Sequence, residues 1–392
     1  MVTAKQILII DDDPDIGEFL RDIAEKIGCE AIAVDHPDAF WCQLDVIKPV
    51  VIFIDLKMPN VDGVELLRKL AERKTEAQIV VMSGTDQRIL HTALRLGSDR
   101  GLRMLGTLQK PIRVRDIQEM LRIGLSSGPL HKSDLRQAIK EKHIVVHYQP
   151  KMDFTADSVD GIYASEALVR WDHPERGILA PDKFIPLAER TRLIGPLTDL
   201  VFNETLKQLV SWQTQGLTLS ASINISPLLL KDVDLPDVYC ELCRSSQIDA
   251  GRITLEITES GAMSDVAMTM DILTRFRLKG FGLALDDFGT GYSSLVQLHR
   301  MPFNEMKIDK SFVMESDGNA GAVKIIHSIA SLAENLELSL CAEGVESETA
   351  LALVRKVGCQ SAQGYLIGKP MPGEALSAFL QSRRSGEPGP TI

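Results

Sequence analysis

From about residue 143 to residue 365 the chain repeats one unit, a short apolar run followed by a helical stretch. Strand candidates stand around 143–149, 162–171, 220–225, 252–258, 282–287, 304–308, 337–343 and 360–365, with helical spacing between them, as at 261–279 and 320–335. Eight strands in roughly 250 residues predict a (β/α)8 barrel, a fold that places its active site at the C-terminal ends of the strands.

A 392-residue chain exceeds one ordinary core, and residues 5–124 carry a different pattern. Apolar runs at 7–10, 50–54 and 79–82, with a weaker one around 102–108, alternate with amphipathic stretches such as Ile16, Leu20, Ile23 and Ile27. This α/β alternation predicts a doubly wound (βα)5 domain over residues 1–124, binding its ligand at the strand ends. The segment "GLSSGPLHKSD" places a linker over 125–134, the barrel follows over 135–382, and the tail 383–392 is expected to be disordered.

In the barrel segment, the period of two puts polar side chains on the inward face of apolar strands. Glu166 and Arg170 share one face of "EALVRW", Asn224 opposes Ile223 and Ile225, and Glu256 opposes Leu255 and Ile257. Lys307 and Asp309 oppose Met306 and Ile308, and Glu343 shares a face with Ser339 and Cys341. Solvated strand ends would carry mixed residue types; these are mostly acids, with one lysine. A mouth lined by Glu166, Asn224, Glu256, Asp286, Asp287 and Glu343 must either raise its pKa values or bind cations. All-oxygen ligands favour Mg²⁺ or Mn²⁺. Adjacent aspartates suit two metals sharing a carboxylate about 3.5–4 Å apart, as in phosphodiester cleavage.

The nine motifs "YQPK", "EALVRW", "HPERGILAPDKFIPLAE", "NIS", "EITES", "DDFGTGYSSL", "KIDKSF", "AEGVES" and "AQGYLIGKPMP" stand in family order. Through them residues 135–382 resemble the EAL-domain phosphodiesterases, which cut the messenger cyclic di-GMP to linear 5′-pGpG in a TIM-like barrel with one strand reversed. The resemblance implies that Glu166, Asn224, Glu256 and Asp286 hold a first metal. Asp286 bridges to a second, held with Asp287 and Glu343. Lys307 orients and polarises the attacking water, with Glu166 and Glu343 beside it in the catalytic group. Gln149, Arg170 and Asp309 contact substrate, Gln363 holds substrate or water, and Glu259 tethers the Phe288–Leu295 loop, through its amides or Ser293 or Ser294, without ligating metal.

The first domain resembles a two-component receiver through "IIDDD", "FIDLKMPNVDG", "VVMSG" and "LQKP". That resemblance makes Asp55 the phosphoacceptor. Asp11, Asp12 and the Lys57 carbonyl bind one Mg²⁺ with it, and Ser83 and Lys110 contact the phosphoryl group. The usual switch aromatic is Thr107 here, which points the output toward the surface of helices near 86–97 and 112–123. The implied function is a response regulator with a phosphorylation-modulated cyclic di-GMP phosphodiesterase. Its implied partners are a sensor histidine kinase and a second copy of the chain. Alternatives are a non-hydrolytic cyclic di-GMP sensor or a scaffold that titrates a kinase.

A net charge of −11 with no basic stripe argues against nucleic-acid binding. The apolar run in "MVTAKQILIIDDD" is too short for a signal peptide, and no segment reaches membrane-span length. Six scattered cysteines fit a reduced, cytoplasmic protein, with Cys240 and Cys243 sharing a helix face.

Overall fold

The computed structural model describes residues 5–59, 62–84, 87–125, 130–154, 161–174, 176–263, 265–289 and 295–385. The chain separates into two compact units, Met1–Pro129 and Leu130–Ile392.

The first unit runs β1 (Gln6–Ile10), α1 (Pro14–Lys26), β2 (Glu30–Val34), α2 (Pro37–Val46), β3 (Val51–Asp55), α3 (Gly63–Glu72), β4 (Gln78–Ser83), α4 (Gln87–Asp99), β5 (Arg103–Gln109) and α5 (Val114–Leu125). All strands are parallel, in the order β2-β1-β3-β4-β5. Alternate residues explain the two covered faces. Leu8, Ile10, Ile52, Ile54, Ile79 and Val81 pack with Leu66, Leu67 and Leu70, whereas Ile7, Ile9, Val51, Phe53, Val80 and Met82 pack with Leu20, Ile23, Ile117 and Leu121. The strand order reverses between β1 and β3, so their carboxyl ends frame a crevice. α1 begins at that crevice because Asp13 caps it and Pro14 occupies its first turn.

The second unit contains β6 (Ile144–Asp153), β7 (Ile162–His173), β8 (Gly177–Leu179), β9 (Ser220–Asn224), β10 (Ile253–Thr258), β11 (Gly282–Phe288), β12 (Glu305–Ile308), β13 (Ser339–Ala342), β14 (Ser361–Gln363) and β15 (Met371–Pro372). The sequence β6-β14-β13-β12-β11-β10-β9-β7, closed by β6–β7 pairing, makes an eight-stranded barrel. β6 runs antiparallel to both neighbours, while the other seven run parallel. Leu255, Ile257, Leu283, Leu285, Met306, Ile308 and Leu340 belong to the large core under the surrounding helices. The residues between them, Glu256, Ala284 and Lys307, therefore point into the barrel.

Helix α5 and the helix Lys132–Lys140 both extend into the segment expected to link the domains, whose residues 126–129 lie outside the described set. Helix Gly373–Ser385 continues past the expected start of the tail, and 386–392 lie outside the described residues. Among the described residues no helix is long and apolar enough to cross a membrane.

Candidate active site and phosphoacceptor site

Strand alternation alone cannot aim two consecutive side chains into one mouth, yet Asp286 and Asp287 both reach it. The backbone supplies the reason. The β11–β12 register shifts between Leu285 and Phe288, and Asp287 has φ of 55°. A left-handed residue at an irregularity turns the second aspartate back toward the first, at a cost of order 1–3 kcal/mol that the surroundings must offset. Carboxylate oxygens of Asp286, Asp287 and Glu343 then lie within 4.8 Å of one another.

Lys307 is fully buried among four carboxylates, with Nζ 2.7 Å from Glu256, 2.7 Å from Glu343, 3.1 Å from Asp286 and 3.6 Å from Glu166. Burial alone would lower its pKa, but these acids outweigh it and keep Lys307 ionised. Asn224 donates to Glu166 Oε1 at 2.7 Å. Gln363 donates to Glu166 Oε2 at 2.6 Å and to Glu343 at 3.1 Å. Gln363 Oε1 is buried with no hydrogen-bond partner among the described residues.

Charge in this ring is unevenly shared. Burial would raise Glu256, but Lys151 and Lys307 hold it down at about 2. Burial and the neighbouring Asp286 and Asp309 push Asp287 to about 7. Burial, with Asp286 and Glu166 opposing the pull of Lys307, pushes Glu343 to about 8. Burial and then Glu256 raise Glu166. Carboxyls crowded in this way hold protons that a cation would displace.

The remaining sequence-predicted residues sit around this ring. Gln149 is buried, paired across β6–β7 with Glu166, and donates to Gly368 O at 3.1 Å. Arg170 is half-buried and donates to its neighbour's Val169 O. Asp309 caps the helix Lys310–Glu315. Glu259 is buried, and its Oε2 accepts from Gly289 N at 3.0 Å. The expected bonds to Ser293 or Ser294 lie outside the described residues.

Three further polar residues stand beneath the ring and were not singled out from the sequence: Lys151, Ser222 and Glu305. Each lies two residues before or after a chosen one on its strand: Gln149, Asn224 and Lys307. The period of two puts them on the inward face, but only barrel closure brings them together.

In the first unit, oxygens of Asp11, Asp12 and Asp55 lie within 4.8 Å of one another at the ends of β1 and β3. Lys110 Nζ is 2.8 Å from both Asp11 and Asp55. Those two carboxylates outweigh its burial and raise its pKa, while burial raises Asp11. Lys57 donates its backbone N–H to Asp55 Oδ1 at 3.3 Å. Ser83 is fully buried at the end of β4, and Thr107 pairs with Val81.

Comparison with known proteins finds a family for each unit. The EAL domain profile matches residues 132–370, and the response regulator receiver domain profile matches residues 7–122. The chain is 38% identical over 248 residues to the bifunctional diguanylate cyclase/cyclic di-GMP phosphodiesterase MucR of Pseudomonas aeruginosa, covering 63% of this chain and 36% of that protein. It is 37% identical over 255 residues to the cyclic di-GMP phosphodiesterase NbdA of the same organism, covering 64% and 32%. The chain thus spans about a third of the length of these curated relatives. Among solved structures, the MucR phosphodiesterase in its c-di-GMP complex superposes with TM-score 0.59 at 38% identity, covering 62% of this chain and 98% of that one. The EAL enzyme Bd1971, in its cAMP- and cyclic-di-GMP-bound form, superposes with TM-score 0.59 at 26% identity, covering 82% and 79%. The chain belongs to the EAL-domain family and joins that domain to an N-terminal response regulator receiver domain.

Proposed function

We propose that the barrel hydrolyses cyclic di-GMP to linear 5′-pGpG, using two divalent ions, Mg²⁺ or Mn²⁺, and that the receiver modulates it through phosphorylation of Asp55 by a sensor histidine kinase. The observation that carries this reading is the buried ring of Glu166, Glu256, Asp286 and Glu343 around Lys307, at the mouth of an EAL barrel.

The donor set fits hard divalent ions. It is all oxygen, it clusters Asp286, Asp287 and Glu343, and it includes carboxyls held protonated by crowding. Glu166, Asn224, Glu256 and Asp286 would complete the first position. When bound, two such ions neutralise the phosphodiester and make the attacking water more acidic. Lys307, which the surrounding acids keep charged, would donate a hydrogen bond to the attacking water and orient it. Gln363 offers Oε1, which has no hydrogen-bond partner among the described residues, to water or substrate, and Gln149 and Arg170 would contact the nucleotide.

The test is incubation with Mg²⁺ and cyclic di-GMP, followed by chromatography. Formation of pGpG that stops on chelation supports hydrolysis; tight binding without product favours the sensor reading.

The raised carboxyls give a pH dependence with a definite sign. Asp287 and Glu343 are protonated below about 7 and about 8 respectively, and both must lose the proton to ligate. Mn²⁺ affinity should therefore rise about tenfold per unit from pH 7 to 8, and more steeply below pH 7. Calorimetric titration across pH 6–9 checks this, and a flat profile counts against these two residues as ligands.

In the receiver, a phosphoryl group on Asp55 would take over the Lys110 ammonium that now bridges Asp11 and Asp55. Thr107 is too small to follow as an aromatic ring would, so the change should pass to the α4–α5 surface. Beryllofluoride is expected to change turnover in the wild type and leave Asp55→Asn unaffected. Identical turnover in a protein that binds the mimic would make the receiver a docking module.

A further inference from the structure

Beneath the catalytic ring lies a second buried charge cluster. Lys151, on the reversed strand β6, is only 1% exposed. Its Nζ lies 2.7 Å from Glu256 Oε1, 2.8 Å from Ser222 Oγ and 3.6 Å from Glu305. Glu256 therefore has a different ammonium on each oxygen, Lys151 on Oε1 and Lys307 on Oε2. Ser222 and Glu305 each precede a ring residue by two positions on β9 and β12, which sets this cluster one layer deeper in the barrel.

We infer that Lys151 is a positioning residue for the reaction: it holds Glu256 from below, fixing the carboxylate that Lys307 and the metal site share. A buried ammonium needs compensation, so a purely structural partner is the competing explanation. Glu305 is the candidate for that partner, but it stands 3.6 Å away against 2.7 Å for Glu256. The hydrogen bond to Ser222 adds direction, since a hydroxyl accepting from Nζ selects one rotamer of the long side chain. Removing Lys151 would leave Lys307 as the nearest cation for Glu256, drawing it away from Glu343, Asp286 and Glu166. Groups that orient metal-binding carboxylates typically change metal affinity or activity by 10–100-fold when lost.

The inference rests on the hydrolytic reading above, and the experiment separates the two. Wild-type turnover reports on hydrolysis; Mn²⁺ binding by calorimetry, without nucleotide, reports on Lys151 whether or not the wild type turns over. Lys151→Met is expected to weaken Mn²⁺ binding by about 10–100-fold and to lower kcat by a similar factor, with KM for cyclic di-GMP changed far less. Glu305→Gln should leave both near the wild-type value. Lys151→Met/Glu305→Gln restores the charge balance, so it should recover melting temperature but neither Mn²⁺ affinity nor kcat. Ser222→Ala keeps every charge and only loosens Lys151, and should weaken Mn²⁺ binding by about threefold. Recovery of Mn²⁺ affinity and kcat in the double variant would overturn the inference, leaving Lys151 as the counter-charge of Glu305. Wild-type Mn²⁺ binding in Lys151→Met, or in Ser222→Ala if the lysine variants do not fold, would overturn it equally.

Discussion

Lys307→Met is expected to lower kcat by about 100-fold or more while the barrel stays folded in the presence of Mn²⁺. Methionine keeps most of the buried stem but removes the charge at the centre of four carboxylates. Breaking a buried ion pair from one side costs about 3–5 kcal/mol, because the remaining charges lose their compensation. Here the acids can take up protons or a divalent cation instead, so the loss should depend on metal. The melting temperature should fall sharply in chelator and recover with Mn²⁺, whereas kcat should not recover, since the group that orients the water is gone. A structural lysine would give the opposite pattern, with activity returning as metal restores stability. Near-normal kcat in Lys307→Met would remove this residue from the catalytic group.

Glu259→Ala should raise the Mn²⁺ concentration for half-maximal activity by about 10–100-fold and lower kcat, although its proposed role is to tether the loop and not to ligate metal. Its buried carboxylate accepts the Gly289 N–H at 3.0 Å, two residues beyond the left-handed Asp287. A hydrogen bond to a charged group contributes about 1.5–3 kcal/mol, enough to hold a strained aspartate in its orientation. Gly289 supplies an independent route to the same effect. Its φ is +100°, and a Cβ there would come within 2.9 Å of Phe312, so Gly289→Ala should shift the Mn²⁺ curve in the same direction. Glu259→Gln, which keeps an acceptor oxygen, should shift it less. An unchanged Mn²⁺ curve in Glu259→Ala and Gly289→Ala would show that the loop does not place Asp287.

Much of this architecture was legible from the period of two. The barrel strands around Glu166, Asn224, Glu256 and Lys307 alternate an apolar face with one that carries these polar residues, and they fold that way. The edge strand β2 was harder to see. "EAIAV" is part-exposed along its length and lacks the continuous Val, Ile or Phe run of β1, β3 and β4. The proximity of Asp287 to Asp286 was suggested by their adjacency, but the left-handed backbone that permits it depends on the β11–β12 irregularity, a tertiary feature. Lys151 went unremarked for another reason: an isolated lysine in a strand reads as solvated, and only barrel closure brings Glu256, Ser222 and Glu305 from other strands around it.

The central claim is that water cuts one phosphodiester bond of cyclic di-GMP at the Lys307-centred mouth. Turnover in ¹⁸O-enriched water with Mn²⁺, read by mass spectrometry, tests it most directly. The attacking water adds its oxygen to phosphorus as the bond to the 3′ oxygen breaks, and the 3′ oxygen leaves with a proton. Linear pGpG carrying one heavy oxygen on its 5′-phosphate, with no product in chelator or from Lys307→Met, is the predicted result. Unaltered cyclic di-GMP recovered from a protein saturated with both nucleotide and Mn²⁺ would contradict it.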